Sequence, residues 1–408
     1  MTLTATPETA EIPAETRLDT RRGRVWKAPP KPDASDERPR GATAIALLAA
    51  GAIALGGAVV ADLDDGPPAP ERAVAPMYDV TEGIGAPSVW AQGITGAGVN
   101  VAVIDTGIAP VPELSDQIVA AVDLSGEVED PSVEASDAFG HGTHMAGIIA
   151  GHEPGADPAL AAANPDDFFG VAPGAGLVSV KVAQSDGSVT GGSLVAGIDW
   201  VVAHADEHDI SIVTLAFDAG EIDSYLTDPV AAALERAWAA GIVVVTAAGN
   251  QGADSGGLAS TARDPYVIAV AGMDSTSTTV VPDWASAGDG ERNPDLAAPG
   301  AHIASLRAPG SEADVTHPEG RVGDREFLAS GSSPAAAVVS GVAALVLESR
   351  PGLTPDQVKH VLIDSAADLD AAPAFVGNGL VDAAAAVVAP AASAPQTWTP
   401  SLGPVSYT

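Results

Sequence analysis

The chain has 408 residues, 46% of them apolar but only 4% aromatic, with 44 glycines, 33 prolines and no cysteine. That length and apolar content allow one large or two ordinary domains with a real core, and the missing cysteine excludes disulfides and thiolate metal sites. A net charge of -36 excludes nucleic acid as a partner of the bulk of the chain, because a surface of one sign repels a polyanion.

The N-terminal segment, residues 1–40, is basic and proline-rich and holds eight of the 18 lysines and arginines, so the other ten basic residues face 47 of the 54 carboxylates. Residues 41–61 then carry no charge at all. As a helix they would span about 31 Å, the thickness of a bilayer's hydrocarbon core. Arginines before this stretch and aspartates directly after it keep residues 1–40 cytoplasmic and send the rest outside. The reading is a transmembrane signal anchor; the alternative is the apolar region of a signal peptide cleaved near Ala61, which would release a secreted protein. Residues 62–76 read as an acidic, Pro-rich linker, 77–390 as one α/β domain, and 391–408 as a flexible tail.

Within the domain, strand-like and helix-like runs alternate. "GVNVAVIDTG" (98–107) is a buried strand ending at Asp105, and "GLVSVKVA" (176–183) is another, followed by a turn at Gly187. "SLVAGIDWVVAHADEH" (193–208) has helical spacing, "ISIVTLAF" (210–217) is a strand, and 228–241 is a helix stopped by Gly241. "IVVVTAAGN" (242–250) is a strand ending at Asn250. Continuous apolar strands between helices predict a mostly parallel sheet covered on both faces, with its site beyond the carboxyl ends of the strands.

Asp105 and Asn250 both lie at such ends, although Asp-Thr-Gly and Gly-Asn also suit plain turns. "FGHGTHMAGIIAG" (139–151) sets His141 at the mouth of a helix with His144 one turn in, and no nearby Glu completes a zinc motif. "LASGSSPAAAVVSGVAALVL" (328–347) begins with Ser332 and Ser333 before a long apolar helix. Either serine alone reads as an N-cap. His141 follows Asp105 by 36 residues, Asn250 follows His141 by 109, and Ser333 follows Asn250 by 83.

With "AVIDTGI", "GHGTHMAGIIAG", "VVVTAAGN" and "SGSSPAAAVVSGVAAL" in that order, the sequence resembles the subtilisin-like serine peptidases, and the likeness extends over most of residues 77–388. Asp…His…Ser is the order of that family, one of three unrelated orders in which such triads occur. The resemblance implies a three-layer α/β fold with helices on both faces of a mostly parallel central sheet. It implies Ser333 as nucleophile, His141 as base and acid, Asp105 as its orienting carboxylate and Asn250 as oxyanion donor. Gly187, Ser188, Val189, Ala216, Phe217, Asp218 and Gly249 would line the substrate cleft. No cofactor is required. Structural calcium is common in the family, but no ligand set can be matched here. Polypeptide substrates and a monomer are expected, with the membrane engaged only through residues 41–61.

Three departures bear on activity. Pro334 follows the candidate nucleophile and disfavours helical dihedrals at Ser333. Ala216 stands where the family has Ser. Asp218 stands where it has Gly; its carboxylate either favours a basic side chain before the scissile bond or is one more solvated loop acid. Competing readings are a catalytically weak homologue acting as a binding protein, and a dedicated maturation protease of a secretion system. An ester hydrolase would carry a Gly-x-Ser-x-Gly elbow, whereas residues 331–335 read Gly-Ser-Ser-Pro-Ala.

Overall fold

A computed structural model of the chain describes residues 74–401, apart from 128–135, 219, 221–223, 255, 276–279 and 393–394. The basic segment 1–40, the uncharged stretch 41–61 expected to be an anchor, and residues 62–73 of the expected linker therefore lie outside the described residues. In chain order the strands are β1 (Ala75–Pro76), β2 (Asn100–Asp105), β3 (Ile118–Asp123), β4 (Gly176–Lys181), β5 (Ile210–Leu215), β6 (Val243–Ala247), β7 (Ile268–Asp274), β8 (Leu296–Ala301), β9 (Ile303–Leu306), β10 (Arg321–Val322) and β11 (Glu326–Ala329). The helices that matter here are α1 (Met77–Gly83), α2 (Ala86–Trp90), α3 (His141–Ala150), α4 (Gly191–His204), α5 (Pro229–Ala239), α6 (Glu312–Thr316), α7 (Ser332–Ser349) and α8 (Pro355–Asp364).

Seven strands form one parallel sheet in the order β3-β4-β2-β5-β6-β7-β8. The central strands are buried almost throughout because both faces are covered, whereas the edge strand β3 alternates between half-buried and exposed residues over 118–121. Helices α3 and α7 pack together on one face, and α4 and α5 pair on the other. The three-layer α/β architecture expected from the sequence is what the chain adopts.

The connectivity fixes where a site can form. From β2 the chain moves to β4 and β3 on one side, and β5 to β8 continue on the other, so the order reverses between β2 and β5. Ile104 pairs with Leu215 there, which sets Asp105 and Ala216 side by side just past the strand ends. A reversal point at the carboxyl edge is where open α/β sheets leave a crevice.

Helix α7 is buried over nearly its full length, from Ser332 to Val346. Among the described residues it is the one helix long and apolar enough to cross a membrane, and here it is the core helix under the sheet. Its polar break is satisfied internally: Ser340 Oγ donates to Ala336 O (2.8 Å) and accepts from Thr214 Oγ1 (2.7 Å). Gly341 lets the helix approach closely, since a Cβ there would lie 2.6 Å from Val171 Cβ.

Both domain boundaries differ from the sequence expectation. Ala75 and Pro76, expected as the end of the linker, form β1 and pair in parallel with Ile303 and Ala304 of a second, four-stranded sheet. The tail expected to be flexible is tied down where it is described. Gln396 N donates to Asp356 Oδ2 (3.2 Å), Tyr266 OH to Trp398 O (2.8 Å), Tyr225 OH to Thr399 O (3.0 Å) and Ser401 N to Glu235 Oε1 (2.6 Å). Ser/Pro/Thr composition marks a segment with little apolar surface, yet main-chain polar groups can dock it onto tyrosines and carboxylates all the same.

Candidate active site

Asp105 ends β2 and His141 opens α3, and the two are forced together by a glycine. Gly142 packs so closely on the turn after β2 that a Cβ would lie 2.1 Å from Gly107 O and 3.1 Å from Asp105 Cβ. That contact sets His141 Nδ1 at 2.8 Å from Asp105 Oδ1 and 2.9 Å from Oδ2. A carboxylate facing Nδ1 requires the proton on that nitrogen, which leaves the Nε2 lone pair to act as a base. Burial opposes the charge on His141, but Asp105 beside it more than offsets this and holds its pKa above the ordinary 6.5.

A residue that the sequence reading missed sits behind this pair. Asp137, four residues before His141, is buried and accepts from Gly140 N (2.6 Å), Phe139 N (3.1 Å), Thr143 N (2.9 Å), Thr143 Oγ1 (2.7 Å) and Thr106 Oγ1 (2.8 Å). Thr106 in turn gives its backbone N–H to Asp105 Oδ1 (2.7 Å) and accepts from Gly142 N (2.9 Å). Asp137 thus ties the loop after β2 to the first turn of α3. Burial drives its carboxyl pKa up, and the bonds from Thr143, Gly140 and Thr106 only partly reverse that. An acid just ahead of a helix was the available signal.

His144 plays a different part. It is buried one turn into α3, and its Nε2 faces Ile303 O (3.3 Å) and Phe327 O (3.1 Å), stitching α3 to β9 and β11. Burial, and next the neighbouring His141, push its pKa down to about 4.

Ser332 and Ser333 occupy the first turn of α7, and Pro334 does not displace them: Ser333 is helical. A proline in a first helical turn sacrifices no intrahelical bond, because those N–H groups have no partner within the helix. Ser333 Oγ points at Ala216 O, 3.3 Å away. Among the described residues no hydrogen bond joins it to His141. Phe217 is buried with its ring centroid 6.1 Å from that of His141.

Asn250 lies beyond β6 against the same helix end. Its Oδ1 accepts both Ser332 N (2.7 Å) and Ser332 Oγ (2.8 Å), and Ser332 Oγ also accepts from Gly249 N (3.0 Å). Because a backbone N–H must donate, the oxygen end of the amide is fixed toward Ser332 and the Nδ2 end turns toward Gly331. A Cβ at Gly331 would lie 3.0 Å from Nδ2, so glycine there keeps the amide's space open.

The remaining cleft candidates divide. Asp218 Oδ1 accepts from Ser260 Oγ (2.7 Å), Ser260 N (3.2 Å) and Gly220 N (3.1 Å), while Oδ2 lies 3.4 Å from Gln251 Nε2. It is therefore a bridge between two loops and not a free loop acid. Gly187, Ser188 and Val189 form their own turn after β4, closed by Gly187 N to Gln184 O (2.9 Å) and Gln184 N to Ser188 O (2.8 Å). No hydrogen bond connects that turn to Ser333 or Asn250 among the described residues. No group of three or more His, Cys, Asp or Glu side chains is arranged to hold a metal among the described residues, and no calcium site is assigned.

This arrangement is matched by known proteins. The sequence fits the subtilase family over residues 96–379. The chain belongs to the subtilase family of serine-type endopeptidases. It is 38% identical to serine protease AprX of Bacillus subtilis (strain 168) over 308 residues, which is 72% of this chain and 66% of AprX. With subtilisin DY of Bacillus licheniformis the identity is 32% over 307 residues, 74% of this chain and 96% of the relative. In three dimensions it is similar to fervidolysin from Fervidobacterium pennivorans, a keratinolytic enzyme related to subtilisin, with a TM-score of 0.60 and 27% identity. The match covers 77% of this subtilase and 46% of fervidolysin.

Proposed function

We propose that this chain hydrolyses peptide bonds in polypeptides, with Ser333 as nucleophile, His141 as general base and then acid, Asp105 as the carboxylate that orients and charges the imidazole, and Asn250 as an oxyanion donor. The observation that carries the reading is a convergence. The bidentate Asp105–His141 pair ends β2 beside β5, Ser333 Oγ at the start of α7 touches Ala216 just past β5, and the Asn250 amide is held by its oxygen to the neighbouring Ser332.

In the proposed cycle Ser333 Oγ gives its proton to His141 Nε2 and bonds to the scissile carbonyl carbon. The carbonyl oxygen gathers negative charge and is met by Asn250 Nδ2 and the backbone N–H of Ser333, at a helix end that adds positive potential. The C–N bond then breaks as His141 returns the proton to the leaving amine. Water completes the cycle by attacking the ester through the same base, which releases the acid and restores Ser333. Asp105, held at Nδ1, orients the ring and stabilises the imidazolium. The uncharged stretch 41–61 adds to this proposal an exported catalytic domain, anchored or released. The test is labelling of the full chain with a fluorophosphonate, beside Ser333→Ala and Ser332→Ala. Loss of labelling only in Ser333→Ala is the expected result; a folded protein that never labels is a binding protein on a peptidase fold.

A further inference from the structure

The two walls of the crevice begin on either side of Ser333 and meet at one residue. One wall is Ala216 to Asp218, whose first carbonyl lies 3.3 Å from Ser333 Oγ. The other is Gly249 to Gln251, which starts from the bond between Gly249 N and Ser332 Oγ. At the far end Asp218 accepts from Ser260 and lies 3.4 Å from Gln251 Nε2, so the two segments are joined at a carboxylate. From this junction we infer that the enzyme cleaves after lysine or arginine, with Asp218 receiving the cationic tip of the residue whose carbonyl is attacked.

This rests on the proposed roles of Ser333 and His141, because they define which substrate residue reaches Asp218. His141 must stand beside the leaving amine to protonate it. The attacked carbonyl oxygen must meet Asn250, which is held at Ser332, so the acyl half of the substrate lies along the two segments that start there, Ala216–Asp218 and Gly249–Gln251. The residues nearest the nucleophile are small: Ala216 carries only a methyl group and Gly249 no side chain at all. A lysine or arginine stem is apolar and needs an anion only at its tip.

The charge is available for such a tip. Among the described residues neither a lysine nor an arginine forms an ion pair with Asp218. Its bonds come from hydroxyl, amide and main-chain N–H groups, which fix its orientation without cancelling its charge. The field extends to Asp228, whose pKa is raised first by burial and further by Asp218. A half-buried carboxylate held by a preset frame needs no rearrangement to receive a cation, and a neutral side chain of similar length would leave it unpaired.

The experiment compares kcat/KM for fluorogenic peptides that differ only in arginine, lysine, leucine, phenylalanine or glutamate before the scissile bond. It uses the full-length enzyme and Asp218→Asn, Asp218→Gly and Asp218→Lys, each normalised by fluorophosphonate titration of active sites. Arginine and lysine should exceed leucine in the unaltered enzyme. The arginine-to-leucine ratio should fall about tenfold to a hundredfold in Asp218→Asn, the size expected on losing one partly desolvated charge pair, and Asp218→Lys should shift preference toward glutamate. An enzyme that titrates fully but prefers leucine or phenylalanine, or whose ratio is the same in Asp218→Asn, overturns the inference and leaves the triad standing. A chain that never titrates refutes the triad instead.

Discussion

Ser332 should matter to catalysis although it is not the proposed nucleophile, and Ser332→Ala measures how. Its buried hydroxyl accepts from Gly249 N at 3.0 Å and donates to Asn250 Oδ1 at 2.8 Å. Truncation leaves the Gly249 N–H buried and unmatched, a cost of about 1–3 kcal/mol in stability. It also removes one of the two bonds by which Ser332 holds the Asn250 amide. A single preorganised oxyanion donor is worth about 2.7–4 kcal/mol, a figure that itself comes from subtilisin. Loosening the amide by half should then cost about tenfold in kcat, because about 1.4 kcal/mol is a factor of ten. The assay is kcat on a peptide substrate, together with urea unfolding, for Ser332→Ala, Asn250→Ala, the double variant and Ser332→Thr. If Ser332 acts through Asn250, the double variant falls no further than Asn250→Ala alone, and threonine restores most of the loss. Multiplicative losses in the double variant, or an unchanged kcat in Ser332→Ala, would refute the reasoning.

Three further outcomes follow from the charges and from the tail. His141 must be neutral to accept the Ser333 proton, and its pKa lies above the ordinary 6.5. Activity should therefore rise with pH along a limb centred above 6.5, and Asp105→Asn, by removing the cause, should shift any residual limb downward in a kcat/KM profile. His144, held down at about 4 by burial, binds fewer protons folded than unfolded. Its contribution, roughly 3 kcal/mol at most, is present above pH 6.5 and is lost as pH falls toward 4. Guanidinium unfolding at pH 7 and pH 4.5 should show this loss in the unaltered protein and a smaller one in His144→Gln. Deleting residues 395–408 removes the bonds to Tyr225, Tyr266, Asp356 and Glu235 and should lower the midpoint of thermal unfolding by a few degrees. An unchanged midpoint would show that the segment only rests on the surface.

The sequence determined a good deal by itself. Continuous apolar runs such as 100–105 and 243–247 can sit only in a sheet covered on both faces, so the parallel core was legible from hydrophobicity alone. The places of Asp105, His141 and Ser333 in the fold were legible because one ends a strand and the others open helices at the carboxyl edge of the sheet. Strands β7 to β11 were not marked out, since short segments such as Arg321–Val322 and Leu296–Ala301 are held by their neighbours more than by their own pattern. Ser332 looked like a cap and is instead the clamp on Asn250, and Asp137, which the sequence reading passed over, is the hub of five donors. Asp218 left two meanings open until its partners on the next loop were in view. Local sequence sets burial and the direction a side chain leaves its own element. The partner a polar group finds is supplied by a distant stretch of chain, and only the packing of Gly142 on β2 and of α7 beneath the sheet brings those stretches together.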